Sequence, residues 1–395
     1  MISFDEAIAI ISSAARPLGT ESVALDEAAG RILTGRVIAM IDSPRAEVSA
    51  MDGYAVRNSD LGTFPSSLTV VGKSFPGSGW HGTLQAGECV RIFTGAPVPA
   101  GADRIVIQEH VRGDGDAAII DADPGPATWV RSKGKDFRSG DMVLPAGRLL
   151  DPAALIAAAG ADVAEVKVFA RPRVALIATG DELVAPGEAH ASPLAVPDSA
   201  SVGVAALAEN WGAQVINRSR AADELDRLQA AAVQALDSAN LVVVIGGASV
   251  GERDLAKVMF EPLGLELLFF KISMRPGKPA WFGRAQGKFV LGLPGNPTSA
   301  LVTARLLLAP LLAAMQGRPT EHALAWEPAQ LVTSLRECDQ RETFHRAALN
   351  AGNVSLVGFQ ESHAQKALAE ADVLLRQAAQ SPPIAIGETV QVLRL

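Results

Sequence analysis

The sequence predicts a multidomain α/β plus β protein, with a central α/β domain whose sheet is mostly parallel. The chain has 395 residues, which is more than one hydrophobic core usually holds. From about residue 172, strand-like runs such as RVALIAT and LVVVI alternate with helical segments. By contrast, residues 44–140 and the tail from about 320 carry short β-type runs separated by Gly, Pro and Asp, as in small β modules.

The remaining elements follow from local signals. Ile8, Ile11 and Ala15 recur at helical spacing near the start. Residues 151–162 read as an Ala-rich helix, with Asp151 as its cap and Pro152 in its first position. We therefore expect a helical-extended domain (1–43 plus 141–170), an inserted β domain (44–140), an α/β domain (171–317) and a C-terminal β domain (318–395).

Composition excludes several classes of function. A net charge of −8 disfavours non-specific binding of nucleic acid, although a local cluster of cations can still bind a small anion. The start has no secretory pattern, and the apolar run LVTARLLLAPLLAAM is interrupted by Arg305 and Pro310, so we expect no membrane span and a cytoplasmic location. Cys89 and Cys338 are far apart and form no C-x-x-C pattern, which argues against a disulfide framework or a thiolate zinc site.

Three loops that directly follow strands are candidate binding sites, because ligands of open α/β sheets bind beyond the carboxyl ends of the strands. They are the segments 179–182, 246–251 and 294–298, and we expect them to share one edge of the sheet. In the second loop Gly246, Gly247 and Gly251 permit close approach of the backbone to a ligand, and Ser249 can donate a hydroxyl. The lysine of a P-loop is missing, so a plain turn is the competing interpretation.

The third loop predicts a helix start, with Asn296 as cap and Pro297 in the first position, after Pro294 and Gly295. A helix terminus contributes only about 0.3–1 kcal/mol toward an anion, so cationic side chains must help. Two cationic clusters are available: Arg131, Lys133 and Lys135, and then Lys271, Arg275 and Lys278. A capped helix and a solvated surface loop are the simpler alternatives for these segments.

Carboxylates are the candidates for holding Mg²⁺ or another divalent cation. Asp52 stands out because it lies among apolar and small residues in SAMDGYAV, although a turn at Asp-Gly would also explain it. The others, each of which could equally be a cap or a surface charge, are Asp136, Glu182, Asp198, Asp223 and Asp254.

Together these motifs resemble the molybdopterin molybdenumtransferase family, also called MoeA, to which the C-terminal part of the neuronal scaffold gephyrin belongs. The resemblance covers nearly the whole chain through SAMDGYAV (49–56), RIFTGAPVPAGAD (91–103), TGDEL (179–183), GGASVGERD (246–254), RPGKP (275–279) and LPGNPTSA (293–300). It implies that the α/β domain is a three-layer, molybdopterin-binding domain and that the C-terminal domain is a β-barrel. The implied reaction inserts molybdenum from molybdate into adenylylated molybdopterin and releases AMP.

The resemblance also implies a homodimer with its active site between subunits, and a molybdopterin adenylyltransferase as upstream partner. Asp52, Thr94, Arg131 and Asp136 of one chain would face the α/β domain of the other. The catalytic set would be Asp52, Glu182, Asp223, Asp254, Lys271 and Arg275, with Asp254 and Glu182 holding the metal. The substrate-binding set would be Thr94, Arg131, Asp136, Asp198, Gly246, Gly247, Ser249, Gly251, Lys278, Pro294, Gly295, Asn296 and Pro297.

The chain departs from the common family pattern at Ala200, Ala248 and Arg275, where Asn, Val and Lys are usual. Arg275 keeps the charge as a flat, bidentate donor, whereas Ala200 removes a polar contact. Because Glu182 and Asp52 remain, we expect activity. The alternatives are a non-catalytic scaffold of the same fold, and a nucleotide-dependent transferase or hydrolase that acts on another substrate.

Overall fold

The computed structural model describes residues 1–247 and 255–395. The chain divides into two compact units, Met1–Glu21 with Phe169–Leu395 and Ser22–Val168. The N-terminal helix therefore groups with the α/β part of the chain. The four domain boundaries expected from the sequence stay a prediction.

The first helix, Phe4–Ala14, begins at a capping box. The Ser3 hydroxyl accepts a hydrogen bond from the Glu6 amide (3.1 Å), and the Glu6 carboxylate accepts one from the Ser3 amide (2.7 Å). The apolar face of this helix, with Phe4 and Ile11, is buried in the main core of the first unit.

A six-stranded sheet forms the centre of the first unit. Its four neighbouring parallel strands are Gln214–Ala221, Arg173–Thr179, Leu241–Ile245 and Lys288–Leu293. Trp281–Ala285 follows in the antiparallel direction, and Glu266–Phe270 forms the edge beyond it. The mostly parallel sheet predicted from the alternating pattern is thus confirmed.

Helices cover both faces of this sheet. Val243 points into the core that contains helices Ser199–Asn210 and Pro297–Thr303, while its neighbours Val242 and Val244 pack against helix Leu225–Ser238. Side chains of a strand alternate between faces, so a fully apolar strand needs cover on both sides. The result is the three-layer arrangement expected from the resemblance.

The longest helical stretch, Pro297–Met315, runs as α-helix Pro297–Thr303, a π-helical segment Ala304–Leu308 and α-helix Ala309–Met315. By length and composition alone this stretch could cross a membrane, but 89% of its apolar window is buried inside the protein. A core helix of a soluble protein passes the same test.

The C-terminal strands close into a barrel, because Glu342–Asn350 pairs with both Asn353–Leu356 and Val373–Gln377. Glu327–Leu331 and Thr389–Arg394 complete the ring. The short strand Met274–Arg275 pairs with the first residues of Glu342–Asn350 and so brings Arg275 to the barrel. The remaining helices and strands of the first unit are Leu183–Val184, Val196–Pro197, Leu255–Val258, Thr320–Ala323 and Gln365–Ala369.

The second unit contains a six-stranded sheet with an apolar cluster on each face. Its strands, in spatial order, are Arg104–Ile107, Gly53–Val56, Glu88–Ile92, Ser66–Ser74, Ala117–Ile120 and Val111–Asp114. Helix Pro152–Gly160 begins as predicted, with the Asp151 carboxylate accepting from the Ala154 amide at 2.8 Å. The other strands of this part of the chain are Thr20–Ala24, Val37–Ile38, Val48–Ser49, Val130–Arg131, Met142–Leu144 and Glu165–Phe169.

Candidate active site

A cavity of about 570 Å³ lies at the carboxyl edge of the parallel sheet. The three predicted strand-end loops all line it, with Thr179, Gly180 and Glu182 from the first, Gly246 and Gly247 from the second, and the segment 294–297 from the third. The loops meet because their strands are parallel neighbours, which end at the same edge. Pro294, Gly295, Asn296 and Pro297, all predicted to bind substrate, thus lie in one cavity with the glycines.

Gly246 and Gly295 let two of these loops approach each other. Gly246 has φ +101°, and a Cβ atom added there would lie 2.8 Å from both the carbonyl oxygen and the hydroxyl of Thr179. A Cβ added at Gly295 would lie 3.3 Å from the Gly246 Cα. Backbone therefore packs directly on backbone at the floor of the cavity, and a side chain at either position would force the loops apart.

The acidic wall of the cavity contains Glu182, Asp198 and Asp223. Glu182 precedes and Asp198 follows the short parallel pair of Leu183–Val184 with Val196–Pro197, so this pair places a carboxylate at each of its ends along the cavity. The Asp198 carboxylate caps helix Ser199–Asn210 and accepts from both the amide (3.1 Å) and the hydroxyl of Ser201. Because its oxygens are engaged in this way and the residue is 3% exposed, Asp198 shapes the wall, whereas Glu182 is exposed to the cavity.

Two hydroxyl groups that the sequence did not single out also line this cavity. The side-chain oxygens of Thr179 and Ser199 are buried and find no hydrogen-bond partner in residues 1–247 and 255–395. An unsatisfied buried hydroxyl costs about 1–3 kcal/mol, which a bound polar ligand can recover. The only sequence signal for them was position, since Thr179 ends a strand and Ser199 starts a helix.

The helix start at Pro297 differs from the prediction in one respect. Asn296 occupies the capping position, but its side chain caps no backbone amide of the helix. Instead, its amide nitrogen donates to the Ser362 hydroxyl at 3.0 Å. The side chain is engaged by the barrel, so Asn296 joins the cavity to the C-terminal domain rather than closing the helix.

A second, more cationic cavity of about 1070 Å³ lies on the barrel side of the same helix start. Arg275, Arg336 and Arg346 line it together with the buried Thr298, whose hydroxyl has no partner among the described residues. Lys271 and Lys278, predicted to reach one cleft with Arg275, line neither this cavity nor the first. Arg275 reaches the barrel side of the helix start through its pairing with Thr343, and a role for the two lysines at the site stays a prediction.

Arg346 shapes the second cavity instead of lining it as a free cation. The residue is 3% exposed, and its guanidinium donates to the carbonyl oxygens of Phe359 (2.9 Å), Glu361 (3.1 Å) and Ala364 (3.2 Å). These bonds hold the loop that presents Ser362 to Asn296 and leaves Phe359 77% exposed. The sequence did not indicate Arg346 or Ser362, because the roles of both depend on contacts between distant segments.

His345 lines the same cavity and bonds to the Gln377 side chain at 2.8 Å. Burial lowers the pKa of His345, and the nearby charges of Arg275 and Arg346 lower it further. At neutral pH this imidazole is therefore uncharged, and the positive charge of the cavity comes from its arginines.

Asp52 belongs to the second unit, where it ends a bend of residues 50–52 directly before a strand. Gly53 begins a strand, and a Cβ atom there would overlap the Val106 carbonyl oxygen, so this glycine serves close strand packing. The Asp52 Oδ1 accepts from the amide and the hydroxyl of Thr94, both at 2.7 Å. These two bonds, and then the charge of Arg91, lower the pKa of the Asp52 carboxyl, which is ionised at neutral pH.

Arg131 and Asp136 lie along the same segment of the second unit. Arg131 is exposed and pairs with Val48, and the Asp136 amide donates to the Ser43 carbonyl at 2.9 Å. Residues 43–52 thus contain Asp52 and contact the segments that carry Thr94, Arg131 and Asp136.

Three predicted site residues, Ser249, Gly251 and Asp254, lie outside the described residues, as does the departure at Ala248. Within residues 1–247 and 255–395, no group of three or more His, Cys, Asp or Glu side chains could hold a metal ion. Burial raises the pKa of the Cys89 thiol to about 12, in keeping with an inert core residue.

The fold and the cavity define a class: a three-layer α/β ligand-binding domain joined to β modules. Comparison with known families refines it, since residues 2–161 match the MoeA N-terminal region (domain I and II) and residues 175–314 match the probable molybdopterin binding domain.

Curated relatives are similar over almost their whole length. A molybdopterin molybdenumtransferase of Haemophilus influenzae is 36% identical over 95% of this chain and 94% of its own. Molybdopterin molybdenumtransferase 2 of Mycobacterium tuberculosis is 35% identical over 98% and 96%. A crystal structure of the molybdopterin biosynthesis MoeA protein of Pyrococcus horikoshii is 29% identical and superposes with a TM-score of 0.82, covering 100% of this chain and 99% of that one. The chain belongs to the molybdopterin molybdenumtransferase family.

Proposed function

We propose that this chain inserts molybdenum from molybdate into adenylylated molybdopterin and releases AMP. Its family membership makes it a transferase of molybdenum cofactor biosynthesis and favours catalysis over a scaffold role. The observation that carries the proposal is the convergence of three strand-end loops on one cavity, together with acidic groups and with hydroxyls that no described residue partners.

The adenylylated pterin binds in the cavity at the sheet edge. Gly246, Gly247 and Gly295 allow a phosphate to approach the backbone, and the hydroxyls of Thr179 and Ser199 gain hydrogen-bond partners from it. Glu182 faces the same space, where its carboxylate can accept a proton or orient the reacting groups.

Molybdate binds near the cationic cavity. Arg275 and Arg336 are exposed there, and their planar guanidinium groups suit a tetrahedral oxyanion. Two like charges near 4 Å repel by about 4 kcal/mol at an effective dielectric of 20, so the reaction of two anions needs this positive charge.

A divalent cation, Mg²⁺ or a similar ion, assists at the phosphoanhydride. Mg²⁺ commonly takes one or two carboxylates and completes its shell with substrate phosphates and water, so a full protein cage is not required. Glu182 and Asp223 supply such oxygens in the described cavity, and Asp254 is the further predicted ligand. The ion would neutralise charge that develops on the leaving phosphate.

The protein acts as a cytoplasmic homodimer in which Asp52, Thr94, Arg131 and Asp136 of one subunit complete the site of the other. Exposed apolar side chains of the second unit support a second copy of the chain as the partner. Ile38, which is 39% exposed, pairs with Met142, which is 53% exposed, and the nearby Met40 is 65% exposed. A molybdopterin adenylyltransferase would deliver the substrate.

The test is release of AMP from adenylylated molybdopterin during a titration with molybdate. We expect Glu182→Ala and Asp52→Ala to lose turnover by at least about 100-fold while keeping the fold, because each removes a charge fixed at the site. Glu209→Ala is the matched control, since Glu209 is an exposed carboxylate at the far end of the helix that Asp198 caps.

Full turnover in both site variants would remove the catalytic assignment. AMP release that does not depend on molybdate would favour a different nucleotide-dependent enzyme, and binding without any AMP release would favour a scaffold.

A further inference from the structure

Arg91 makes a network of contacts around Asp52 in the second unit. Its Nη1 donates to the carbonyl oxygen of Gly53 at 3.1 Å, and its Nη2 donates to the side chain of Gln108. The backbone N–H of Gln108 in turn donates to the backbone carbonyl oxygen of Asp52 at 3.0 Å. Arg91 thus holds two consecutive backbone carbonyls, that of Gly53 directly and that of Asp52 through Gln108.

The guanidinium is itself fixed by aromatic rings. It lies 4.9 Å from the centre of the Tyr54 ring and 5.2 Å from that of Phe93, and Phe93 stacks on Phe75 with centroids 4.8 Å apart. Tyr54 is the cross-strand neighbour of Arg91. A guanidinium between two ring faces loses most of its rotational freedom, so its hydrogen bonds are held in one direction.

The carboxylate of Asp52 is held by Thr94, which follows the strand Glu88–Ile92 that contains Arg91. Thr94, three residues after Arg91, provides both hydrogen bonds to Oδ1, and no described residue donates to Oδ2. One oxygen is therefore anchored, and the other is left for a reacting group. Arg91 is the cation whose charge acts on this carboxylate.

We infer that Arg91 is a positioning residue, which holds Asp52 and Thr94 in the geometry that the reaction needs. The inference rests on the proposed role of Asp52 in catalysis. It assigns no substrate contact to Arg91, whose guanidinium is occupied by protein groups.

The test compares Arg91→Met, which keeps the aliphatic bulk, with Arg91→Lys, which keeps the charge, and with Gln108→Ala, an exposed change that leaves the strands intact. The Asp52 carboxyl is titrated by ¹³C NMR in protein with labelled aspartate and assigned with Asp52→Asn. The pH profile of kcat/KM for AMP release is measured on the same proteins, and Arg112→Gln, which breaks an exposed ion pair with Asp121, is the control.

We expect Arg91→Met to raise the pKa of the Asp52 carboxyl, to move the acidic limb of the profile to higher pH, and to lower kcat by about 10- to 100-fold with a smaller change in KM. Arg91→Lys should return the pKa of the Asp52 carboxyl to the wild-type value because the positive charge is kept. It should restore only part of kcat, because an ammonium group cannot donate to Gly53 and Gln108 in the geometry of the guanidinium. Gln108→Ala should give a smaller loss of kcat, and Arg112→Gln none.

Loss of activity in Arg91→Met with an unaltered Asp52 titration would overturn the inference, as would unaltered activity and titration together. If Asp52→Asn itself turns over normally, the proposed role of Asp52 fails, yet the NMR titration still decides whether Arg91 holds the carboxylate. Should Arg91→Met not fold, Arg91→Gln, which also removes the charge, replaces it in both measurements.

Discussion

Substituting Gly246 by alanine tests whether backbone packing at the floor of the cavity is required. The position has φ +101°, where a residue with a side chain is strained by about 1–3 kcal/mol. The new Cβ would also lie 2.8 Å from two atoms of Thr179, and overpacking of this kind costs about 1–3 kcal/mol more. We expect a total loss of about 3 kcal/mol, which for a unit of this size lowers Tm by about 6–12 °C.

Gly287→Ala is the matched control. Gly287 also has positive φ, +74°, but it lies in a hairpin turn where an added Cβ meets nothing within 4 Å. Only the conformational cost of about 1 kcal/mol applies, so Tm should fall by about 2–4 °C. Because Gly246 lines the cavity and Gly287 does not, only Gly246→Ala should raise KM for adenylylated molybdopterin.

The assay is differential scanning calorimetry of both variants, followed by initial rates of AMP release. If Gly246→Ala melts no lower than Gly287→Ala, the loops can relax without cost, and the close approach inferred here is not required.

Arg376→Met should destabilise the first unit by about 2–4 kcal/mol in chemical denaturation, because it removes the partner of the half-buried Glu342 and of Asp5. Arg227→Met, which breaks an exposed ion pair, should cost less than about 0.5 kcal/mol, and equal losses in the two variants would contradict this account. His345→Gln should flatten the acid dependence of stability. Burial lowers the pKa of His345, so below about pH 6.5 the unfolded chain binds a proton that the folded protein does not. The stability of the wild type therefore decreases as the pH is lowered. Parallel curves of unfolding free energy against pH, from 7 to 5, would show that His345 does not contribute.

Much of the fold was predictable because its signals are local. Asp151 and Pro152 specify a helix start within four residues, and the run LVVVI identifies a strand covered on both faces. The positions of the binding loops followed from the same pattern, since the ends of parallel strands must meet at one edge.

Other features were missed because their sequence signals are weak or misleading. The sequence pattern did not indicate three strands, because the β-type runs next to them are stronger. They are Trp281–Ala285, Glu327–Leu331 and Val373–Gln377. At Asn296 the sequence correctly indicated a helix start, but the side chain bonds to Ser362 because the barrel brings that residue within reach.

The sequence by itself determined the family, the alternation of strands and helices and the three loops of the candidate site, because these depend on short-range patterns of residues. Only the tertiary structure decided that Arg275 lines one cavity with Arg336 and that the hydroxyls of Thr179 and Ser199 have no partner among the described residues. It also decided that Arg91 holds the consecutive carbonyls of Asp52 and Gly53. Such contacts join segments that are distant along the chain, so they exist only once packing has fixed which polar groups meet and which remain unpaired.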